Sequence, residues 1–287
     1  MHRSGYTGIS LSSSGKVVLI NNIMKGNKYN FGLVGMYDSD FDNQIDTTNM
    51  VDGKTLYYIQ GVADKVYDSD TNAGTFYCIG CVNVTLKNLD LKNNDYGIFF
   101  WNTTRSKIQN VDASKNYFGI YLSSSSSNTL SRNNASNNNN LGFYILRSSS
   151  NNRLIGNNAS NNHGTFASGI IIRDNSNKNT LISNIAVNNS HGYGIEIESS
   201  RKNKIYNNIF NNTNNFYFSS SKINTWNTTM QSGTNIIGGS FLGGNYWANP
   251  EGTGFSQTCK NVDGICDKRY ILDAKNIDYF PLAKDKH

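Results

Sequence analysis

The chain has 287 residues, a formal charge of +6 from 26 basic and 20 acidic side chains, and 47 Asn and 32 Ser beside only 2 Pro. An aromatic content of 12% with so little Pro excludes a disordered chain, and no run approaches the roughly 18 apolar residues that a membrane helix needs. The basic residues are interspersed with acidic ones, not gathered as on a nucleic-acid-binding face, so no nucleic-acid partner is expected.

The opening MHRSGYTGIS holds no apolar signal core, so export precedes this sequence or the chain is a segment of a longer one. A pattern of short strands begins at once, at Gly8, Ile9 and Leu11, then Leu19, Asn22, Met24 and Asn27, and again at Gly32 and Leu33. A coil that starts within ten residues of Met1 leaves little room for a cap, and an uncovered sheet edge invites an end-on partner. The stretch from 38 to 72 is less regular.

From residue 83 a repeat is plain. Six windows align without gaps: NVTLKNLDLKNN from 83, RSKIQNVDASKN from 105, SNTLSRNNASNN from 127, NNRLIGNNASNN from 151, KNTLISNIAVNN from 178 and KNKIYNNIFNNT from 202. Their fourth column is Leu86, Ile108, Leu130, Leu154, Leu181 and Ile205, their seventh ends in Asn133, Asn157, Asn184 and Asn208, and their last runs from Asn94 to Thr213. A second block follows each window, led by Gly97, Gly119, Gly142, Gly169 and Gly194, with apolar residues at every second position after it. Period 2 means short strands with one buried face.

A unit of roughly 22 to 25 residues cannot enclose a core alone and must stack on its neighbours. The pattern predicts an all-β chain, a right-handed single-stranded parallel β-helix of about ten rungs over 1–239, with coils about 4.8 Å apart. A small capping module is expected over 240–287, and Trp226, Phe241, Tyr246 and Trp247 are expected to cover the last rung. Leu130, Leu154 and Leu181 should stack inside, with Asn133, Asn157 and Asn184 as a hydrogen-bonded ladder beside them.

VDGKTLYYIQ from 51, CVNVTLKNLDL from 81 and YGIFFWNTTRSKIQN from 96 resemble the NosD-type β-helix family, labelled periplasmic copper-binding, and its archaeal cell-surface relatives. GGNYWANP from 243, DGICDKRYIL from 263 and NIDYFPL from 276 resemble the terminal module of such proteins. The resemblance implies the fold and an extracellular or cell-surface location; the functions of such β-helices range from accessory factors for copper enzymes to surface modules and carbohydrate-active enzymes.

Copper calls for clustered His, Cys or Met. The four His are His2, His163, His191 and His287, of which His163 and His191 lie in turns of successive rungs and are read as solvated. Cys78 and Cys81 form a CxxC without metal or redox context and are read as core-filling. Cys259 and Cys266 flank a short polar loop and are expected to form a disulfide. The same loop resembles a calcium-type loop of the terminal modules, with Asn261, Asp263 and Asp267 as oxygen donors; closure by the disulfide without an ion is the competing reading, and no other cofactor is expected.

Two constellations could carry function. Phe99, Trp101, Tyr121 and Tyr144 occupy outward positions and should form an exposed aromatic stripe open to a ligand or partner; the competing reading is that the stretch from Asp38 to Asn72 covers it. The stripe continues into Arg173, Glu196 and Glu198, where paired carboxylates beside an Arg could do acid/base chemistry or form an inert ladder. No catalytic constellation assembles beyond these three. The reading is an exported surface module that presents a β-helix face to polysaccharide, or to other copies of itself in an end-on or lateral homo-oligomer. A carbohydrate-active enzyme of the lyase, hydrolase or epimerase type is the alternative, and a copper-delivery accessory protein the third reading.

Overall fold

The computed structural model describes residues 7–284. His2 and His287 lie outside the described residues. The main body is a parallel β-helix. One face is a sheet whose strands are β7 (Lys54–Gln60), β9 (Ala73–Ile79), β11 (Tyr96–Trp101), β13 (Phe118–Ser123), β15 (Leu141–Leu146), β17 (Ile170–Ile172), β20 (Ile195–Glu198) and β23 (Phe216–Ser219), all parallel to their neighbours. A second face stacks β8 (Val66–Tyr67), β10 (Thr85–Lys87), β12 (Lys107–Gln109), β14 (Thr129–Ser131), β16 (Arg153–Ile155), β18 (Thr180–Ile182) and β21 (Lys204–Tyr206). The third face is a column of single bridges, Asp90, Asp112, Asn134, Asn158 and Ile185, that becomes true strands at β19 (Ile185–Val187) and β22 (Ile209–Asn211).

The expected columns are in register. Leu130 pairs with Leu154 and Leu154 with Leu181, all fully buried. Asn133, Asn157, Asn184 and Asn208 pass Nδ2 to the next Oδ1 at 2.9–3.0 Å. A second ladder, Asn152, Asn179, Asn203 and Asn224, runs from the second window position, which the sequence reading did not single out. In the last column the ladder reaches Asn212, one residue before Thr213, because Asn189 donates to Asn212. The corners explain why Asn is so common. Asn88, Asn110, Asn137, Asn161 and Asn188 all have φ between 53° and 61°, a left-handed backbone that costs other residues about 1–2 kcal/mol. Gly119 has a different reason: a Cβ there would lie 2.6 Å from the Gly142 carbonyl and 2.7 Å from the Ala135 methyl.

The N-terminal coils depart from the continuous solenoid expected over 1–239. Strands β1 (Thr7–Ser12), β2 (Val18–Leu19) and β3 (Ile23–Met24) pair in parallel with β4 (Tyr29–Val34), β5 (Gln44–Ile45) and β6 (Met50–Val51), forming two coils of their own. β6 then turns at Asp52 and Gly53, both with positive φ, and pairs antiparallel with β7. This hairpin folds the two coils back onto the outer face of the main body. Phe31, Leu33 and Phe41 there share one buried cluster with Tyr77, Phe99 and Trp101.

At the other end the coil register runs past residue 239, because strand Tyr246–Ala248 pairs in parallel with β22. Trp226 and Trp247 are buried and close the main core, with Trp247 stacked on Phe210 at 4.8 Å. Tyr246 and Phe241 belong instead to a small separate cluster with Ile265 and Leu282. Cys259 and Cys266 form a disulfide, and Cys78 and Cys81 are buried in the main core and also paired.

Candidate ligand-binding face

The outer face of the large sheet carries one side chain per coil in strict register: Tyr77, Phe99, Tyr121, Tyr144, Ile171, Glu196 and Tyr217. The first part is an aromatic ladder, with Phe99 and Tyr121 stacked at 5.1 Å and Tyr121 edge-on to Tyr144 at 5.0 Å. The structure corrects the expectation of an open stripe. Phe41 packs on Trp101 at 4.2 Å and on Phe99 at 5.4 Å, leaving these two only 5% and 2% exposed. The Trp101 indole N–H donates to Asp38 Oδ1 at 2.7 Å, and Arg147 lies over the indole while donating to the Gly35 carbonyl. The cover is therefore residues 29–41 of the folded-back coils, the first part of the irregular stretch together with β4. Phe99 and Trp101 serve as core, because burial of large apolar area outweighs any surface use.

Beyond Arg147, Ile171 is still buried at 5% exposure, and the face opens at Glu196, Glu198 and Tyr217. Tyr144 is half-buried, and its hydroxyl accepts from Arg173 Nη1 at 3.1 Å. Arg173 Nη2 is 3.0 Å from Glu198 Oε2, so the expected Arg–Glu contact across coils is made. Glu196 stands beside them, two residues and about 6.6 Å along the strand from Glu198. Burial pushes the Glu196 carboxyl up from the usual range, Arg173 pulls it down and Glu198 adds to the rise. Tyr193 and Tyr217 stack on each other at 5.0 Å, and Tyr217 pairs with Glu196 and is 42% exposed. The sequence reading missed this tyrosine pair. Tyr217 occupies the outward position of the next coil and could have been found from the alternation; Tyr193, in the turn before Gly194, could not. Chemically the face offers a carboxylate acceptor, a carboxylate held by a guanidinium, and stacked rings.

The C-terminal loop is a β-hairpin. Asn261–Val262 pairs with Ile265–Cys266 around Asp263 and Gly264, whose φ of 54° and 84° suit a two-residue turn. Asn261 Oδ1 accepts from the Gly264 N–H at 2.6 Å and Asp267 Oδ1 from the Lys260 N–H at 3.2 Å. These two contacts hold the turn. His163 and His191 are exposed. Among the described residues no group of three or more His, Cys, Asp or Glu could hold a metal, and all four cysteines are paired.

A family profile described as periplasmic copper-binding protein (NosD) matches residues 41–252. The chain belongs to the NosD family. Among the described residues the donors do not fit the copper of that description, since all four cysteines are paired and the two histidines join no group of three His, Cys, Asp or Glu. Among solved structures, pectate lyase Pel9A is similar at a TM-score of 0.40 and 14% identity, over 76% of this chain and 69% of that one. The A-module of the Azotobacter vinelandii mannuronan C-5 epimerase AlgE4 is similar at 0.37 and 16%, over 72% and 54%. No curated protein matches the chain. No helix among the described residues is long and apolar enough to cross a membrane.

Proposed function

We propose that this NosD-family protein is an exported, cell-surface β-helix that binds a polysaccharide on the outer face of β20 and β23, beside Arg173 of the preceding coil. The observation that carries this reading is the change in the outward column where the N-terminal cover stops: rings give way to Glu196, bracketed by the Arg173–Glu198 pair and the Tyr193–Tyr217 stack. Aromatic faces stack on sugar C–H surfaces, and carboxylates and guanidinium groups bond hydroxyls. With Asp174, Glu196 and Glu198 against Arg173, the face carries excess negative charge, which favours a neutral, hydroxyl-rich chain over a polyanion.

The test is affinity electrophoresis of the protein through gels containing neutral polysaccharides such as glucans, mannans and galactans. Retardation by at least one of them, lost in Tyr217→Ala with Glu196→Gln, supports the reading. Equal mobility of wild type and variant in every gel overturns it. The elevated carboxyl of Glu196 also fits the proton donor of a carbohydrate-active enzyme; release of reducing ends from a retarding polymer, abolished by Glu196→Gln, would select that reading over simple binding.

A further inference from the structure

A concave site lies at the corner that follows β20, between the two sheets near the C-terminal end. A cleft of about 520 Å³ is lined by Arg201, Lys202, Ser221, Lys222, Ile223, Thr225 and Lys275. That volume falls in the range of about 300–1,000 Å³ typical of ligand sites. Four of the seven lining residues are cationic and none is acidic.

The cations are placed by three separate layers of the fold. Arg201 and Lys202 follow β20 at one corner, and the Lys202 N–H donates to the Ile223 carbonyl, which puts Lys222 and Ile223 on the next coil. Lys275 comes from the terminal module, where its Nζ donates to the Ser221 carbonyl at 3.0 Å. The charges are thus arrayed along the helix axis, with layers about 4.8 Å apart. Among the described residues no carboxylate is ion-paired with any of the four. Asp273 is close in sequence to Lys275, but its oxygens accept from Ser221 Oγ, from the Lys275 and Asn276 N–H groups and from Asn276 Nδ2. It works as a structural acceptor within the module. Four cations gathered at one concavity repel each other unless an anion joins them, and such a cleft concentrates field lines on that anion.

We infer that this corner is a binding site for an anionic polysaccharide, one whose rings carry carboxylate or sulfate groups. The linear array of cations matches a chain that repeats its charge along its length. Ile223 is 68% exposed in the middle of the cations and offers an apolar contact to a ring's C–H face, while the Ser221 and Thr225 hydroxyls can bond sugar oxygens. A membrane surface would need a larger apolar area than one isoleucine. This site is distinct from the tyrosine and glutamate face in both position and the sign of its charge.

The experiment measures binding of the full chain to polygalacturonate and to heparin by calorimetry, at about 0.05 M and about 0.5 M salt, where screening lengths differ severalfold. Wild type should bind at least one polymer at low salt and lose affinity at high salt. The double variant Lys202→Glu with Lys222→Glu should bind at least about tenfold more weakly, the expected effect of reversed charge at a contact. All of these side chains are exposed, so the fold is retained, and neutral truncation at Lys222→Ser with Lys275→Ser should weaken binding in the same direction. The control Lys65→Glu with Lys107→Glu changes net charge equally and should leave affinity within about twofold. Tyr217→Ala should also leave it unchanged, which separates this site from the sheet face. Binding to polygalacturonate shows that carboxylates suffice, whereas binding to heparin alone, which carries both groups, shows that sulfate is required. Failure of both polymers to bind wild type at low salt, equal binding by the charge-reversed variant, or tighter binding to anionic lipid vesicles or duplex DNA than to either polymer would overturn the assignment.

Discussion

The Asn245 N–H donates to Asp278 Oδ2 at 2.8 Å, and this contact is where the buried ladder from Asn133 to Asn208 ends. In the ladder each backbone N–H donates to the Oδ1 of the next Asn, so the last N–H, that of Asn245, has no such acceptor and the Asp278 carboxyl supplies one, while Asn245 Nδ2 donates to the Ile205 and Trp226 carbonyls. Asp278 is fully buried and also accepts from the Trp247 indole and the Phe280 N–H, so the plug ties the ladder to the aromatic closure. The parallel ladder ends in the same manner: Asn224 donates to Asn276, which also accepts from the Trp226 indole and donates to Asp273.

Burial raises the Asp278 carboxyl to about 7, and the hydrogen bonds from Asn245, Trp247 and Phe280 only partly offset that rise. A folded-state value above the unfolded one means that the folded chain holds a proton the unfolded chain has released. The contribution to stability is fully present below pH about 4, falls through the interval to pH about 7, and is level above it. The urea midpoint of wild type minus that of Asp278→Asn should therefore decrease from pH 4.5 to pH 7.5. A difference that stays flat or rises with pH would contradict a proton on Asp278.

Asn157 sits in mid-ladder: its Oδ1 accepts from both the N–H and the Nδ2 of Asn133, and its own Nδ2 reaches Leu130 and Asn184. Asn157→Ala removes four buried hydrogen bonds and leaves the Asn133 N–H without its acceptor, while Asn133 Nδ2 keeps the Ile108 carbonyl and Asn184 Oδ1 keeps the residue-157 N–H. It should cost about 2–5 kcal/mol, from about 1–3 kcal/mol for the orphaned donor and about 0.5–1.5 kcal/mol for each other bond lost. Asn161→Ala, at an exposed left-handed corner of the same coil, should cost about 1–2 kcal/mol. Chemical denaturation of the two variants checks the order, which would be reversed if the ladder contributed nothing.

Phe41→Ala should destabilise the protein by about 3–5 kcal/mol, because the ring fills the space over Phe99 and Trp101. Trp101→Ala should cost a similar amount and leave polysaccharide retardation unchanged. Thermal melts read the first effect and affinity gels the second. Loss of retardation in a folded Trp101→Ala protein would mean that the covered aromatics take part in binding.

The solenoid was legible in the sequence because its causes are local and repeat in every coil. A corner needs a residue that tolerates positive φ, an inward position needs an aliphatic, and a ladder needs an amide at fixed spacing, so Leu154, Asn157 and Asn161 each announce their place. Aromatic residues on the outward side of β11 and β13 were equally visible, but alternation says only that a strand has two faces. Whether the second face is wet depends on what lies over it, and that was decided by the Asp52–Gly53 hairpin, which reverses the chain and lays Phe31 and Phe41 onto Tyr77, Phe99 and Trp101. Because β1 and β4 carry the same Gly-and-aliphatic pattern as the later coils, the sequence could not separate two coils beneath the solenoid from two coils on its side. The same holds for Arg201, Lys222 and Lys275, which share no repeat position; only the docking of the terminal module against the last coils brings their charges to one cleft.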